Sequence, residues 1–353
     1  MIDLLANKIP ALCAFIKSQT GASEVSATLI GRLGGGAIQH NWALDLTLDG
    51  VPHPIVLRAD APSGIAESWG KAQEFALLKA IHKAGVKVPE PLWLEESGKV
   101  TGAPFYIARR LSGSADPRKL VRAIEEEEGE LLARELGAEL AKFHAIKPGP
   151  ELSFLKPPPG DLIAARLAHH RAQLDALPEP QPVLEWAINR LEDEAPKYAR
   201  GAESIVLCHR DFRTGNYLVE NDRLVALLDV EFAGLSDPYE DLGWFCARCW
   251  RFGMAGAEAG GIGTRDAFYE GYAAESGRPV DDAQVRFWEQ MAALRWAIMA
   301  LEQAERHLSG RERNLELALT GLVALETEYD LLIDLRLPGF KPAPKKSKAE
   351  AAS

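Results

Sequence analysis

The hydrophobic period of this 353-residue chain switches once, near Gly113, and the switch restricts the folds open to it. Ahead of it run short alternating segments, ATLIGRL, AIQHNWALDLTLDG and PIVLRAD, which read as three strands joined by glycine-bearing turns. A helical stretch follows from Ser68 to Ala84, with Phe75, Leu78 and Ile81 on one face, and stops before Gly85 and Pro89. PLWLEE and APFYIARRL then supply two more strands around the turn SGKVTG. Together with an amphipathic helix over roughly the first 20 residues, residues 1–112 read as a five-stranded sheet carrying one main helix. Beyond Gly113 the period becomes helical, as in Leu131 to His144, where Leu132, Leu136, Leu140 and Phe143 mark one buried stripe. The chain is therefore expected to be α+β: a β-rich amino-terminal lobe (1–112), a mainly helical lobe (113–336), and a disordered Pro, Lys and Ala tail (337–353). With 47% hydrophobic residues it has apolar material for two cores.

Inside the helical lobe the period lapses between Ser204 and Asp229, and this exception carries the chemistry. The stretch CHRDFRTGNYLVENDRLVALLDVEFAG, from Cys208 to Gly234, holds Asp211, then Asn216 five residues later, then a hairpin ending in Asp229. Phosphoryl transfer requires a carboxylate beside the attacking hydroxyl and oxygen ligands for a magnesium ion bridging the phosphates. Asp211 suits the first role, Asn216 and Asp229 the second, and His209 reads as a brace for the loop. Gly34, Gly35 and Gly36 lie between two strands, where backbone N–H groups can approach phosphate oxygens. The strand from Asn41 that follows them, in place of a helix, excludes a dinucleotide-binding unit.

These features sit in an order that resembles the aminoglycoside phosphotransferase family of protein-kinase-like enzymes, which includes choline and homoserine kinase relatives. The stretches carrying the resemblance are LGGGAIQHNWAL, VLRAD, QEFALLKAIHKAGVKVPEP, FYIARRLSG, ELAKFHAI, CHRDFRTGN, LLDVEFAG and SDPYEDLGWF. It implies a protein-kinase-like two-lobed fold and an enzyme moving the γ-phosphate of ATP, or GTP, to a hydroxyl of a small molecule, with magnesium. It implies Asp211 as the catalytic aspartate, Asn216 and Asp229 as metal ligands, and Glu74 as partner of a third-strand cation. That cation is normally lysine and here is Arg58, which keeps the charge on a bulkier, forked head. Nucleotide contacts fall by the same resemblance on Gly34, Gly35, Gly36, Asn41, Arg58 and Glu74, and on Arg109, Arg110 and Leu111 at the lobe junction.

Asp229 is followed almost at once by SDPYEDLGWF, leaving no room for a protein kinase's activation segment. Asp237 and Asp241 read as structural carboxylates of a helix start, and Trp244, Trp250, Trp288 and Trp296 mainly as core. The net charge of −11 argues against nucleic acid and favours a cationic acceptor. No apolar run approaches the roughly 18 residues of a membrane span, and Asp3, Asn7, Lys8 and Pro10 interrupt the start where a secretory signal is continuous, so a cytoplasmic monomer or homodimer is expected. Cys246 and Cys249 form a CxxC lacking a second ligand pair of suitable spacing, which points to packing over zinc. Arg58 supports one alternative, a nucleotide-binding pseudokinase without turnover.

Overall fold

In the computed structural model, residues 5–34, 39–60, 68–158 and 160–336 are described. Gly35, Gly36 and the tail 337–353 lie outside them. Helix α1 (Ile9–Thr20) precedes β1 (Val25–Arg32), β2 (Gln39–Leu48) and β3 (Val51–Asp60); α2 (Lys71–Lys83), β4 (Pro91–Glu95) and β5 (Phe105–Arg109) complete the first lobe. The strands form one antiparallel sheet in the order β1-β2-β3-β5-β4. The turn between β2 and β3 takes Asp49 and Gly50 through positive φ, which aspartate tolerates and glycine favours.

Both faces of this sheet are covered, so strand alternation sorts side chains into two cores. Ile55, Leu57 and Ala59 of β3 and Phe105 and Ile107 of β5 pack with Leu12 and Ile16 of α1. Tyr106 and Ala108 point the other way and join Phe75, Leu78 and Ile81 of α2. Arg58, one residue out of step with the apolar set of β3, pairs in register with Tyr106 and therefore shares its face.

The remainder is mainly helical: α3 (Pro117–Ala123), α4 (Glu126–His144), α5 (Leu162–Asp175), α6 (Pro182–Glu194), then two short strand pairings, then α7 (Pro238–Cys246), α8 (Arg265–Ser276), α9 (Asp282–Leu308), α10 (Leu315–Thr320) and α11 (Val323–Asp334). Leu132, Leu136, Leu140 and Phe143 of α4 are fully buried, as their spacing requires, and join the same core as α2, which ties the two lobes together. Helix α4 meets α8 at glycines. A Cβ on Gly137 would lie 2.2 Å from the Phe268 carbonyl oxygen, and one on Gly271 2.0 Å from that of Arg134.

The interruption in the helical pattern forms β6 (Val206–Cys208), β7 (Tyr217–Glu220), β8 (Arg223–Leu227) and β9 (Gly234–Ser236), with β6 pairing β9 and β7 pairing β8, both antiparallel. Asn221 and Asp222 both take positive φ and close the second hairpin. No helix among the described residues is long and apolar enough to cross a membrane.

Candidate active site

The 209–216 loop leaves β6 with Arg210 in the left-handed region (φ 63°), a conformation costly for a residue with a Cβ. Asp241, fully buried on α7, offsets that cost. Its two oxygens accept from the backbone N–H groups of His209 and Arg210, each at 2.6 Å, and His144 Nε2 lies 3.0 Å away. Asp237 caps the amino terminus of α7 by accepting from Tyr239 N at 2.9 Å. Asp237 thus makes the contact expected of a helix start, whereas Asp241, also structural, holds the loop instead. His209 Nε2 donates to the Leu228 carbonyl at 2.8 Å, and its Nδ1 accepts from Asp211 N at 3.3 Å, so the imidazole fastens the loop to the end of β8.

Within the loop, each Asp211 carboxylate oxygen is held by a donor. Trp244 Nε1 donates to Oδ1 at 3.0 Å, with Arg213 Nε at 3.2 Å, and Asn216 Nδ2 donates to Oδ2 at 2.6 Å. Asn216 Nδ2 also reaches the Asp211 carbonyl at 2.9 Å. The Asn216 nitrogen is therefore committed to Asp211, and Oδ1 is the amide atom left over for a cation. Leu228 N donates to Asn216 O at 2.8 Å, which sets Asp229 beside Asn216 at the mouth of the β7–β8 hairpin.

Asp229, also left-handed (φ 58°), faces Arg58. The Arg58 guanidinium is a hub: Nε lies 2.8 Å from Glu74 Oε1, Nη2 donates to Glu231 Oε2 at 3.2 Å, and Nη1 donates to Asp229 Oδ1. Glu74 further accepts from Tyr106 OH at 2.8 Å and from Lys71, whose Nζ also reaches Gln39 Oε1 at 2.6 Å and Asp60 Oδ1 at 3.1 Å. Gln39 in turn donates to Glu231. The Arg58–Glu74 pairing matches expectation. The sequence reading missed Lys71, which is fully buried and three residues ahead of Glu74 on one helix face, and Glu231, which shares Arg58.

Burial alone would raise the Asp229 carboxyl, but the Arg58 charge and hydrogen bond hold it below the ordinary carboxylate range. Glu231 goes the other way. Burial, reinforced by Asp229 and Glu74, outweighs Arg58 and pushes it up to about 7. The folded protein thus holds the Glu231 proton more tightly than the unfolded chain, and this group's contribution to stability declines as pH rises from about 4.5 to about 7. Glu231→Gln removes that decline: the variant gains on wild type by on the order of 2 kcal/mol between about pH 5 and pH 8, measured by urea denaturation. An unchanged difference across that window would refute the assignment.

A cavity of about 400 Å³ opens beside these residues. Gly34, Asn41, Arg58, Arg109, Arg110 and Leu111 line it from the sheet side, and Gly215 and Asp229 from the helical lobe. Of the described residues expected to meet nucleotide, Glu74 alone stands behind the wall, reaching it through Arg58 and Tyr106. The Arg109 and Arg110 side chains turn to surface pairs with Glu90 (2.7 Å) and Asp45 (2.5 Å). Their N–H groups already donate to Glu90 O and Pro54 O, so neither is free for a nucleotide base. Trp244 and Trp288 line a second cavity across the loop, while Trp250 and Trp296 pack ring to ring at 4.7 Å. Burial pushes the Cys246 and Cys249 thiols far above their ordinary value.

The arrangement has solved counterparts. The chain superposes on a putative aminoglycoside phosphotransferase from Ralstonia eutropha with a TM-score of 0.70 at 19% identity, covering 93% of this chain and 98% of that one. It matches a spectinomycin phosphotransferase, solved with ADP and spectinomycin, at TM-score 0.61 and 14% identity (91% and 98% covered). A choline/ethanolamine kinase family protein from Mesorhizobium loti gives 0.60 and 17% (93% and 94% covered). These likenesses show the protein-kinase-like fold. Among curated proteins, mouse acyl-CoA dehydrogenase family member 10 is 27% identical over 209 residues, 54% of this chain but 18% of that protein, so the chain spans under a fifth of this relative's length. Residues 30–294, well over half of the chain, match the phosphotransferase enzyme family, and the chain belongs to that family.

Proposed function

We propose that the chain transfers the γ-phosphoryl group of a nucleoside triphosphate, ATP or GTP, to a hydroxyl of a small molecule. Residues 1–112 hold the nucleotide and 113–336 the chemistry. The observation that carries this reading is the braced 209–216 loop. Its Arg210 lines the second cavity and its Gly215 the first, which Asp229 also lines; Asp211 falls between them in the chain and is hydrogen-bonded to Trp244 of the second cavity and to Asn216, which pairs with the end of the hairpin. The nucleotide occupies the first cavity with its phosphates toward Arg58 and Asp229. The acceptor hydroxyl lies against Asp211, which takes its proton as the oxygen bonds to the γ-phosphorus and the bond to the β,γ-bridging oxygen breaks, releasing nucleoside diphosphate.

The residues present fit a magnesium ion. Asn216 Oδ1 and an Asp229 carboxylate held ionised are hard oxygen donors, and Arg58 engages Asp229 through Oδ1. When bound there, magnesium neutralises phosphate charge. The Arg58 fork then serves two ends: it anchors Glu74 and offers donors to phosphate in place of a lysine ammonium.

Thermal stabilisation by ATP with and without magnesium tests the assignment. Wild type is expected to melt higher with both than with ATP alone, by several degrees at saturation. Asp229→Ala is expected to lose the magnesium-dependent increment and keep the rest. A nucleotide shift indifferent to magnesium, with no turnover of any hydroxylated acceptor, would instead indicate a nucleotide-binding protein without transfer.

A further inference from the structure

Across the loop from the nucleotide cavity lies a second one of about 340 Å³, and if the chain transfers phosphate as proposed above, this is where the acceptor sits. Trp244 links it to the chemistry: its ring lines the cavity while its Nε1 donates to Asp211 Oδ1 at 3.0 Å. Its character is not that of a site for a polyamine. Arg166 on α5, Arg210 on the loop and Arg295 on α9 all line it, whereas Glu240 is the one carboxylate doing so among the described residues.

The three guanidinium groups converge on that single buried carboxylate, Arg166 Nη2 at 3.2 Å, Arg210 Nε at 3.3 Å and Arg295 Nη1 at 3.9 Å. One negative charge cannot neutralise three positive ones, and adding Asp211 still leaves the arginines in excess. Glu302 does not line the cavity itself but accepts from the lining Gln173 Nε2 at 3.0 Å. Burial, and then the neighbouring Arg210, hold Arg295 below its ordinary guanidinium range. His170, pushed down to about 4 chiefly by burial, is neutral and offsets none of this.

Hydrogen bonding gives the same answer independently. Two atoms on the cavity wall, Arg166 Nε and Trp288 Nε1, are buried without a partner among the described residues, and both are donors. A buried donor left unpaired costs roughly 1–3 kcal/mol, so such a wall favours a ligand bringing acceptor oxygens. Trp69, Trp288, Met291 and Met299 also line the cavity and offer apolar area without negative charge.

We infer that the acceptor is a hydroxylated anion. It carries, besides the hydroxyl presented to Asp211, a carboxylate or phosphate group held between Arg166 and Arg210, and apolar surface seated on the tryptophan wall. The net charge of −11 points the other way because it sums the whole molecule, whereas recognition follows the local field.

Four acceptors of one chain length separate the possibilities: a hydroxyalkanoate, a hydroxyalkyl phosphate, the amino alcohol and the diol, assayed by nucleoside diphosphate release with magnesium. At least one anion is expected to exceed the amino alcohol in kcat/KM by about 30-fold or more, the scale of one charge-assisted hydrogen bond and one removed repulsion. The better of the two anions identifies the group. Arg166→Gln should raise that anion's KM by about 10-fold or more with kcat within about threefold, and Arg166→Lys should recover part of the loss. Preference for the amino alcohol or the diol would overturn the inference while leaving phosphoryl transfer standing. If none of the four is phosphorylated, calorimetric titration of the same compounds into wild type and Arg166→Gln decides. Anion binding weakened by the substitution supports the site, and absence of anion binding overturns it. Failure of the phosphotransfer reading itself shows separately, in the magnesium-dependent nucleotide shift.

Discussion

The Asp211→Ala protein is expected to fold, to bind nucleotide, and to turn over at least several-hundredfold more slowly than wild type, a loss on the order of 4 kcal/mol in the barrier. The size follows from what the carboxylate does at once. In the proposed reaction it orients the attacking hydroxyl and accepts its proton, and both functions would vanish with the side chain. The loop should survive the change because its strained turn is held elsewhere, by Asp241 on two backbone N–H groups and by His209 on Leu228. What alanine does abandon are the donors of Trp244 and Asn216. Asp211→Asn is the sharper variant, since it keeps an oxygen for one of those donors while removing the base. Steady-state kinetics together with nucleotide-induced thermal shifts read both quantities. Near wild-type kcat in either folded variant would show that Asp211 has another role.

Arg58→Ala acts first on stability. The guanidinium sits among Glu74, Asp229 and Glu231, all largely buried, and removing it leaves three carboxylates facing one another with Lys71 as the remaining buried cation. Breaking a buried ion pair from one side costs roughly 3–5 kcal/mol, and the shared partners place this substitution at the upper end. Arg58→Lys keeps the charge but reaches fewer of the three, so a loss of about 1–3 kcal/mol is expected. Urea denaturation measures both. A loss below about 1 kcal/mol for alanine would mean that Lys71 alone holds the cluster together.

How far the residues foretold this site depends on the range over which each contact acts. Alternation along the strands is local, so the five strands of the sheet were legible in period; the register that sets Arg58 beside Tyr106 was not, because it joins strands 48 residues apart. The loop from Asp211 to Asn216 and the hairpin to Asp229 are also local, and spacing sufficed to bring them together. Spacing did not show that the Asn216 nitrogen belongs to Asp211. The choice between the ends of an amide depends on neighbouring donors, which spacing does not report. The bonds from Arg58 to Asp229 and Glu231 cross 171 and 173 residues and follow from lobe packing. Glu231, two residues after Asp229, and Lys71, three before Glu74, carried the nearest available signals. Arg166 and Arg295 carried none, because they come from separate helices and meet through Glu240.

The central claim, that Asp211, Asn216 and Asp229 form one phosphoryl-transfer centre, is tested most directly by single-turnover transfer of label from γ-labelled ATP with magnesium to a pool of hydroxylated acceptors. Wild type is expected to place the label on an acceptor hydroxyl, while Asp211→Asn and Asp229→Asn, both folded and the former still binding nucleotide, leave it on ATP over the same interval. Transfer at the wild-type rate by either variant would contradict the claim.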